Sequence, residues 1–441
     1  MGGIKCLVIG SGGREASIVE KIKEDGGSII YAYMGHENPG IISATKFTGG
    51  KYIVGDTLNG ELIKDFAVKN NIEITIISND NILQAGVVDE LKKANIPTFG
   101  ATRKGAMIEW SKTYALEIID KLAPEMNIKS FSVNSEEQLM ETLLRYEDCE
   151  FVIKPEGLTA GKGVKVGKVH FKTKDEGNKY AKKCLIEDGL VIIQDIIEGK
   201  EFTVMGFTDG KTLDLMPITC DYSYRFDNDT GPGTGGMGCF NYSDGKLPYL
   251  TNSDIKACKD LMEKVLHEIN KDNIEFTGVL YGGFFKSNLG IKVIEFNARF
   301  GDPECINIMG LLDSKFIDVA RACIDGNLSD NICKYKKDTA SVLVYIVSKG
   351  YALNIKQEPF EFYINQENIE KEGAKVIYSS CIKKGNKLIP TGSSRLAGII
   401  KVGNNLQEVR NDVYELISKN VIGPIDYRKD IGYGEKRLDF M

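Results

Sequence analysis

The segment Val-Ile-Glu-Phe-Asn-Ala-Arg-Phe-Gly-Asp-Pro-Glu, residues 293–304, reads as a strand that runs into a polar turn. Side chains alternate across a strand, so Glu295 and Asn297 point to one face while Ile294 and Phe296 point to the other. A carboxylate and an amide oxygen placed in this way suit Mg²⁺, which needs few protein ligands when nucleotide phosphates complete its shell. Arg299 follows, where a guanidinium could meet a phosphoryl group or a carboxylate. The segment therefore predicts a metal and phosphate site; the alternative is an acidic edge strand that ends in a turn.

Length and composition describe a multidomain globular protein. The chain has 441 residues, which exceeds a single hydrophobic core and predicts roughly three or four domains. Its apolar fraction is 42 % and its charged fraction 27 %, and no run approaches the ~20 apolar residues of a membrane span. The net charge is -6 and the lysines are distributed along the chain, which provides no basic field for nucleic acid. We expect a soluble protein that binds neither nucleic acid nor membrane.

Cysteine usage and the N-terminus indicate the compartment. The ten cysteines include no Cys-x-x-Cys pair and the chain has only three histidines, a pattern that favours reduced, buried thiols over disulfides or zinc. The sequence begins Met-Gly-Gly-Ile-Lys-Cys and leads into a strand without the basic and apolar regions of a signal peptide. A cytoplasmic location is expected.

The first hundred residues alternate strand and helix signals. Apolar runs at Ile4–Ile9, Ile29–Tyr33, Ile74–Ile77 and Ile96–Phe99, with a helix from Ala16, predict a parallel α/β domain.

A glycine loop, Gly-Ser-Gly-Gly-Arg-Glu at residues 10–15, joins the first strand to this helix. The loop lacks the third glycine of the dinucleotide fingerprint, and no acidic residue closes the second strand, so an NAD-binding protein is a weak alternative. Free N–H groups at a helix N-terminus suit a sugar phosphate equally well. A turn needed only for packing is the remaining alternative.

A second glycine-rich loop follows a strand at Phe151–Lys154. The segment from Pro155 to Val166 reads as a hairpin, because Lys162 is followed by Gly163 rather than by the Ser or Thr of a P-loop, and no helix signal comes next. Such a hairpin could act as a lid whose backbone donors close over phosphates, with Lys154 reaching in from the strand. The alternative is a solvated surface hairpin.

Two further segments carry possible binding groups. Carboxylates at Asp195, Glu198 and Glu201 could accept ribose hydroxyls or position a metal, or could form the polar edge of a turn. Residues 229–238, Asp-Thr-Gly-Pro-Gly-Thr-Gly-Gly-Met-Gly, contain five glycines and one proline, from which we expect no regular element. That loop would bring backbone close to a ligand or to another backbone; taken alone it could also be a linker.

The order and spacing of these motifs resemble the glycinamide ribonucleotide synthetase family of ATP-grasp ligases over nearly the whole chain. The resemblance rests on five segments: Gly10 to Glu15, Gly157 to Val164, Gly231 to Gly238, Glu295 to Glu304, and Tyr-Arg-Lys-Asp-Ile-Gly at residues 427–432. Other ATP-grasp enzymes share the lid and the metal pair, whereas the Thr-Gly-Gly-Met-Gly and Arg-Phe-Gly-Asp-Pro-Glu runs are specific to this branch.

The resemblance implies an α/β and α+β multidomain fold. An N-terminal parallel α/β domain would span residues 1–105, and a central ATP-grasp domain would combine 106–122 with 195–330. The ATP-grasp lid domain would span 123–194, and a small C-terminal domain 331–441. ATP would lie between the lid and the central domain.

The resemblance also implies an ATP-dependent carbon–nitrogen ligase of purine biosynthesis that joins glycine to 5-phosphoribosylamine through a glycyl phosphate. ATP and Mg²⁺ or Mn²⁺ would be its cofactors, and a monomer or weak dimer is expected. The catalytic residues it implies are Lys154, Asp221 and Arg299, and the metal ligands are Glu295 and Asn297. The residues implied to contact ATP are Lys112, Lys154, Gly161, Lys162, Gly163, Asp195, Glu198 and Glu201. The residues implied to contact the other substrates are Gly12, Gly13, Arg14, Asp221, Gly235, Gly236, Arg299 and Asp302.

Several positions depart from the family pattern. Ala16-Ser17 replaces His-Ala, Ser78-Asn79-Asp80 replaces Gly-Pro-Glu, and Pro155-Glu156 replaces Ala-Asp. Ser223-Tyr224 replaces a basic pair, with Arg225 one residue later. The contacts to the ribose phosphate are therefore left open. Another ATP-grasp carboxylate–amine ligase and a non-catalytic nucleotide-binding protein are the alternative functions, and retention of the metal and phosphate residues argues against the second.

Overall fold

A computed structural model describes residues 3–158, 163–271, 274–329, 332–353, 355 and 358–433. The chain begins with alternating strands and helices that build a five-stranded, wholly parallel sheet in the order β3-β2-β1-β4-β5. Its elements are β1 Ile4–Ile9, α1 Gly13–Asp25, β2 Ser28–Met34, α2 Pro39–Phe47, β3 Tyr52–Val54, α3 Gly60–Asn70, β4 Ile74–Ile77, α4 Asp80–Gln84, α5 Val87–Lys93 and β5 Thr98–Phe99.

The parallel α/β domain expected at the N-terminus is confirmed. The run predicted at Ile74–Ile77 is β4 with the same bounds, because four buried aliphatic or β-branched residues fill a central strand. Strand β5 is shorter than predicted and covers only Thr98–Phe99. Helix α1 begins at Gly13, three residues before the expected start, since the Glu15 carboxylate accepts the Gly12 N–H at 2.7 Å and satisfies the first turn.

Two helices, α6 Met107–Trp110 and α7 Lys112–Leu122, lead from this sheet into a small antiparallel unit. The elements of the small unit are β6 Ser130–Val133, α8 Glu136–Leu143, β7 Phe151–Pro155, β8 Lys165–Val166, α9 Lys174–Asp188 and β9 Val191–Asp195. The strands pair in the order β6-β9-β7-β8. Their apolar faces form a core of their own around Phe151, Ile153 and Ile193, separate from the cores of the rest of the chain. We call this unit the lid.

The central part of the chain carries a second antiparallel sheet, in the order β11-β10-β16-β17. The elements of this part are β10 Lys200–Thr208, β11 Leu213–Leu215, β12 Cys220–Asp221, β13 Tyr224–Phe226, β14 Thr230–Gly233, β15 Gly238–Asn241, α10 Asn252–Asn270, β16 Gly278–Ser287, β17 Gly290–Asn297, α11 Glu304–Leu311 and α12 Phe316–Ile324. The pairing of β16 with β17 shifts register between Gly283 and Phe284, which leaves Ile294 as an extra residue in β17.

One expectation for the central part is wrong. Residues 229–238 were expected to contain no regular element, yet Thr230–Gly233 forms β14 and pairs with β13 in a short hairpin. A positive φ of 82° at Gly231 permits this pairing, and only the glycine-rich segment beyond β14 remains a loop. Counting glycines does not distinguish a loop from a strand whose glycines allow close backbone approach.

The last part of the chain completes a sheet in the order β12-β15-β18-β23-β20, with β25 also paired to β18. Its elements are β18 Ala340–Ser348, β19 Tyr363–Ile364, α13 Gln366–Lys371, β20 Ala374–Tyr378, β21 Cys381–Lys384, β22 Lys387–Pro390, β23 Ala397–Gly403, α14 Leu406–Asn420, β24 Val421–Ile422 and β25 Ile425–Asp426. Strands from the central part and from the C-terminal part share this sheet, so the two are packed as one body. The four-part division of the chain remains a prediction.

The two large cores contain residues from the N-terminal, central and C-terminal parts together. Among the described residues, the core of the lid is separate from these two cores, as expected of a unit that can move relative to the rest. None of the helices in the described part of the chain combines the length and the apolar character that crossing a membrane requires.

Candidate active site

Arg299 lies just beyond β17 and is held by a buried carboxylate. Its Nη2 lies 2.8 Å from Glu109 Oε1 and also donates to Asn297 Oδ1 at 3.1 Å. Glu109 lies in α6, and its other oxygen, Oε2, accepts a hydrogen bond from the Ala298 N–H at 2.9 Å. Burial lowers the pKa of Arg299, but the charges of Glu109 and Asp80 outweigh burial and leave its pKa above the usual value. A permanently charged guanidinium is therefore fixed at the end of the strand.

Glu295 and Asn297 share one face of β17, as the strand period predicted. Asn297 Nδ2 donates to Glu295 Oε1 at 3.1 Å; the Asn297 side chain is 5 % exposed, whereas Glu295 is exposed. The described residues contain no group of three or more His, Cys, Asp or Glu side chains arranged to hold a metal. The Glu295 carboxylate could bind Mg²⁺ as it stands, and the Asn297 amide would supply a second oxygen after turning its Oδ1 from Arg299 toward Glu295.

Lys154 and Lys112 converge on Glu295 from different elements. Lys154, on β7 of the lid, donates to the carbonyl of the bulged Ile294 at 3.3 Å. Lys112, the first residue of α7, donates to the carbonyls of Gly157 at 2.7 Å and Glu156 at 3.2 Å. Burial lowers the pKa of both ammonium groups, that of Lys154 to about 8, while the Glu295 charge opposes the shift. Two partly desolvated cations beside one carboxylate could together hold an anion that carries a divalent metal.

The other residues expected to contact ATP are more dispersed. Gly163 lies two residues before β8, and its carbonyl accepts a hydrogen bond from the Tyr180 hydroxyl at 2.7 Å. Asp195 is engaged by the hydroxyl of Tyr146 in the lid at 2.8 Å. Glu198 and Glu201 are exposed, and the Glu201 charge raises the pKa of Lys154. The remaining two residues of this set, Gly161 and Lys162, lie outside the described residues.

Arg395 organises the glycine-rich loop, and sequence reasoning missed it. It donates to the carbonyls of Gly235 and Gly236 and pairs with Asp302 at 2.9 Å, while its guanidinium lies 4.6 Å from the Tyr345 ring centroid. Arg395 follows the strand β22, far along the chain from these partners. In the sequence it is the arginine of the segment Thr-Gly-Ser-Ser-Arg, residues 391–395, which belongs to none of the motifs described above.

Asp221 lies at the edge of the same loop. A Cβ at Gly236 would lie 2.9 Å from Asp221 Oδ1, so the absence of a side chain there is what lets the loop approach the carboxylate. Ser223 Oγ donates to Asp221 Oδ2 at 2.8 Å. The Asp221 charge in turn raises the pKa of Glu304, a second buried carboxyl that the sequence did not single out.

The first glycine loop meets the segment that follows β17. Arg14 donates to the Phe300 carbonyl at 3.1 Å and lies 3.9 Å from Asp80. The Gly12 N–H is taken by Glu15, and a Cβ at Gly13 would overlap the Tyr345 hydroxyl. These contacts place the N-terminal loop against the Arg-Phe-Gly-Asp run.

The positions that depart from the family pattern have defined places. Ser78 Oγ accepts the Phe300 N–H at 3.2 Å, and Asp80 begins α4. Burial raises the pKa of Asp80, but Arg299 and Arg14 outweigh it and hold that pKa below the usual value. Asn79 is the N-cap residue of α4, but its side chain makes no capping hydrogen bond. Ala16 is buried in α1. Asp80 therefore provides a carboxylate beside Arg14 and Arg299, at the position where the family pattern has a glutamate.

A cavity of about 700 Å³ lies between the lid and the C-terminal part. Its walls include Lys165 and His170 of the lid, Gly233 of β14, and Phe360 and Thr391. Its lining includes Pro232 and Gly233 of β14 but neither Glu295 nor Asn297. The charged groups around Glu295 and Arg299 lie outside the walls of this cavity, and cavity size alone does not stabilise an anion.

Two family models match the chain: the phosphoribosylglycinamide synthetase N domain over residues 4–109, and the ATP-grasp (A) domain of the same synthetase over residues 110–305. Phosphoribosylamine–glycine ligase from Pyrococcus horikoshii is 36 % identical over an alignment of 447 residues that covers 99 % of this chain and 97 % of that protein. The ligase of the same name from Methanocella arvoryzae is also 36 % identical, with 99 % of each chain covered.

Solved structures show the same fold. The crystal structure of phosphoribosylamine–glycine ligase from Thermotoga maritima matches with a TM-score of 0.79 at 24 % identity, covering 97 % of this chain and 100 % of that one. The biotin carboxylase domain of the Hydrogenobacter thermophilus 2-oxoglutarate carboxylase, solved with MgADP and bicarbonate, matches with a TM-score of 0.71 at 15 % identity. That match covers 96 % of this chain and 91 % of the other.

Proposed function

This chain belongs to the phosphoribosylglycinamide synthetase family, and from that membership we infer that it is an ATP-dependent ligase of purine biosynthesis. It joins glycine to 5-phosphoribosylamine, with release of ADP and phosphate, to give glycinamide ribonucleotide. The observation that carries this function is the full-length match to relatives named phosphoribosylamine–glycine ligase. A carboxylate–amine ligase with other substrates is less favoured, because the matches cover the N-terminal domain as well as the ATP-grasp domain.

The cofactors we propose are ATP and Mg²⁺ or Mn²⁺. Glu295 and Asn297 would hold the metal, which when bound neutralises charge on the phosphate oxygens of ATP. We propose that Lys112 and Lys154 contact those phosphates, together with Gly161, Lys162 and Gly163, which follow β7 in the sequence. The biotin carboxylase domain, which has a related fold and was solved with MgADP, supports the proposal of a nucleotide with Mg²⁺ as a ligand of this fold.

The reaction we propose begins when the glycine carboxylate attacks the γ-phosphorus of ATP, which forms glycyl phosphate as the bond to the β-phosphate oxygen breaks and ADP leaves. Lys154 and Arg299 would stabilise negative charge on the transferring phosphoryl oxygens, as fixed cations do in phosphoryl transfer. The amine of phosphoribosylamine then attacks the acyl carbon, and phosphate leaves. The lid would exclude water that would otherwise hydrolyse the intermediate. No side-chain nucleophile is needed.

Substrate contacts follow from the two glycine loops. Asp221, beside Gly235 and Gly236, is suited to the ammonium group of glycine, and Asp302 is held in place by Arg395 and Tyr345. Gly12, Gly13 and Arg14 are proposed to contact phosphoribosylamine. Asp195, Glu198 and Glu201 are proposed to face ATP, with Glu201 supported by its electrostatic effect on Lys154.

We further propose that the protein is cytoplasmic and acts as a monomer or weak dimer on small molecules, without nucleic acid or membrane. The burial of all ten cysteines is compatible with a reducing compartment.

Measurement of ADP release tests the function. Purified protein is assayed with ATP and Mg²⁺, first with glycine alone and then with phosphoribosylamine generated in the assay. Sustained ADP release and glycinamide ribonucleotide are expected only with the complete mixture. ADP release with another amine and none with phosphoribosylamine would assign the chain to a sister ligase, and ATP binding without any turnover would assign it to the non-catalytic class.

A further inference from the structure

Arg428 is a buried arginine in the last of the five segments that carry the family resemblance, and the reaction proposed above gives it no role. It binds two carboxylates: its Nη2 lies 2.7 Å from Asp229 Oδ1, and its Nε donates to Asp430 Oδ1 at 2.6 Å. Its Nη1 donates to the Tyr224 carbonyl at 3.0 Å, and its guanidinium lies 4.6 Å from the ring centroid of Tyr222. A buried guanidinium with a partner on each nitrogen fixes the groups around it.

These contacts join the C-terminal segment, residues 427–432, to the β13–β14 hairpin. Tyr224 and Asp229 lie in the hairpin, and Tyr222 lies two residues before it. The turn is held as well, because Asp430 Oδ2 accepts the Asn228 N–H at 2.9 Å. Asn228 and Asp229 have φ values of 58° and 51°, a left-handed conformation that residues other than glycine seldom adopt and that surrounding contacts must maintain. The C-terminal segment therefore determines the shape of this hairpin.

Tyr222 connects this arginine to the proposed site of the amino acid. It directly follows Asp221 in the chain. Its N–H donates to the Gly238 carbonyl at 3.1 Å, and its carbonyl accepts the Met237 N–H at 2.8 Å, so its backbone is tied to the end of the glycine-rich loop. Its hydroxyl accepts the Gly432 N–H at 3.1 Å, which fixes the far end of the ring to the C-terminal segment. A shift of this ring would move Asp221 and the end of the loop together.

Resting on the function proposed above, we propose that Arg428 is a positioning residue for the amino-acid substrate. It acts through Tyr222 and the hairpin, which together set the place of Asp221 relative to the glycine-rich loop, residues 234–237. Misplacement of a binding group by about 1 Å is enough to weaken binding and turnover strongly. The two lysines proposed to contact the phosphates of ATP lie on β7 and α7, outside this arrangement. The effect of Arg428 therefore falls on glycine rather than on the nucleotide.

Arg428→Lys tests this assignment, because lysine keeps a positive charge near the two carboxylates but lacks the planar fork that also reaches the Tyr224 carbonyl. We expect the KM for glycine to rise at least about tenfold while the KM for ATP stays within about twofold. Steady-state ADP release, with one substrate varied and the others saturating, measures both values. A purely structural role predicts that both KM values stay the same or rise equally, and either result would overturn the proposal.

Lys21→Met is the matched control for loss of stability. Lys21 is buried in α1 and pairs with Asp25 at 2.5 Å, so its replacement also breaks a buried ion pair, but in the N-terminal part of the chain. It should lower the midpoint of urea unfolding and leave the KM for glycine within about twofold of the original value. A rise in this control equal to that in Arg428→Lys would attribute the effect to general destabilisation and overturn the proposal.

Asp229→Gly is a second variant should Arg428→Lys fail to fold. Glycine adopts a φ of 51° readily, so the turn keeps its conformation, and Arg428 still pairs with Asp430. We expect amide hydrogen exchange of residues 222–238 to become at least about tenfold faster, while β7 and β9 of the lid keep their rates. The KM for glycine should rise at least about threefold. An unchanged KM for glycine, with or without faster exchange, would overturn the proposal.

Failure of the proposed function gives a different result. The unmodified protein would then release no ADP with glycine and phosphoribosylamine, whereas failure of the role assigned to Arg428 leaves that activity intact and removes only the difference between the variants and the control.

Discussion

The hydroxyl of Tyr345 occupies the space that a side chain at residue 13 would need. Tyr345 comes from β18 in the C-terminal part, whereas Gly13 is the first residue of α1 in the N-terminal part. The same hydroxyl donates to Asp302 Oδ1 at 2.7 Å. One tyrosine therefore joins the first glycine loop to the turn after β17, and glycine is required at residue 13 for space rather than for an unusual φ.

Gly13→Ala should destabilise the protein although alanine favours helices. The added methyl group would force Tyr345 or α1 to move, and overpacking of a buried site costs about 1–3 kcal/mol. We expect a lower midpoint in urea unfolding and reduced activity, because Asp302 loses the tyrosine hydroxyl and keeps only Arg395 as a partner when the tyrosine shifts.

Gly392→Ala is the matched control, since a Cβ there meets nothing within 4 Å. It should leave both stability and activity near the original values. Tyr345→Phe in the Gly13→Ala background should recover part of the loss, because the overlapping oxygen is gone. If the two substitutions were simply additive, the steric relationship between the two residues would be refuted.

Arg299→Met should lower the free energy of unfolding by about 3–5 kcal/mol, because it leaves the Glu109 carboxylate buried without its ion-pair partner. Burial raises the pKa of Glu109, which indicates how strongly this carboxylate depends on a neighbouring cation. Urea unfolding measures the effect. Adding Glu109→Gln to Arg299→Met should restore a large part of the stability and none of the activity; equal losses in the single and double variants would rule out an uncompensated charge as the cause.

Glu295→Gln should weaken the dependence on divalent metal without weakening the fold. Glu295 is exposed, and glutamine keeps an oxygen for the Asn297 amide, so the replacement removes the proposed metal ligand and little packing. We expect the Mg²⁺ concentration that gives half-maximal ADP release to rise at least about tenfold, while the unfolding midpoint stays within error. Asn297→Ala should show the same metal effect together with a loss of about 1 kcal/mol, since its amide bonds Glu295 and Arg299. Normal turnover of either variant throughout a Mg²⁺ titration would show that the metal lies elsewhere.

The sequence predicted those parts of the fold and site in which local pattern decides structure. The buried run Ile74–Ile77 could only be a central strand, and the alternation around Glu295 and Asn297 assigned both to one face before their contacts were known. The strand at Thr230–Gly233 was missed because glycine content hides the pairing that tertiary contacts impose.

Residues that act through long-range contacts could not be predicted in this way. Glu109 meets Arg299 from a separate segment, and Arg395 meets Gly235 and Asp302 from the far end of the C-terminal part. No period or spacing in the sequence links such pairs, since only the folded backbone brings them together. The family resemblance implied a role for Lys112, whereas Glu109, three residues earlier, lies in none of the five segments that carry the resemblance.

Lys154→Met should stabilise the protein near neutral pH in the absence of nucleotide and metal. Burial lowers the pKa of Lys154 from 10.5 to about 8, so the folded state holds this proton less firmly than the unfolded chain does. The unfolded chain binds more protons between about pH 8 and about pH 10.5, and the stability of the unmodified protein must therefore rise with pH across that window. Methionine has no charge to desolvate, so we expect a gain of about 1–3 kcal/mol near pH 7 that shrinks as the pH passes through the window. Urea unfolding at several pH values measures this gain. Lys183→Met is the control, because Lys183 is exposed and its replacement should change stability by less than about 0.5 kcal/mol at every pH.

ADP release by Lys154→Met should fall steeply, because the charge whose burial destabilises the folded state is the one proposed to contact the phosphates of ATP. A variant that is less stable at pH 7, or one that retains full activity, would show that this lysine is kept for packing and not for its charge.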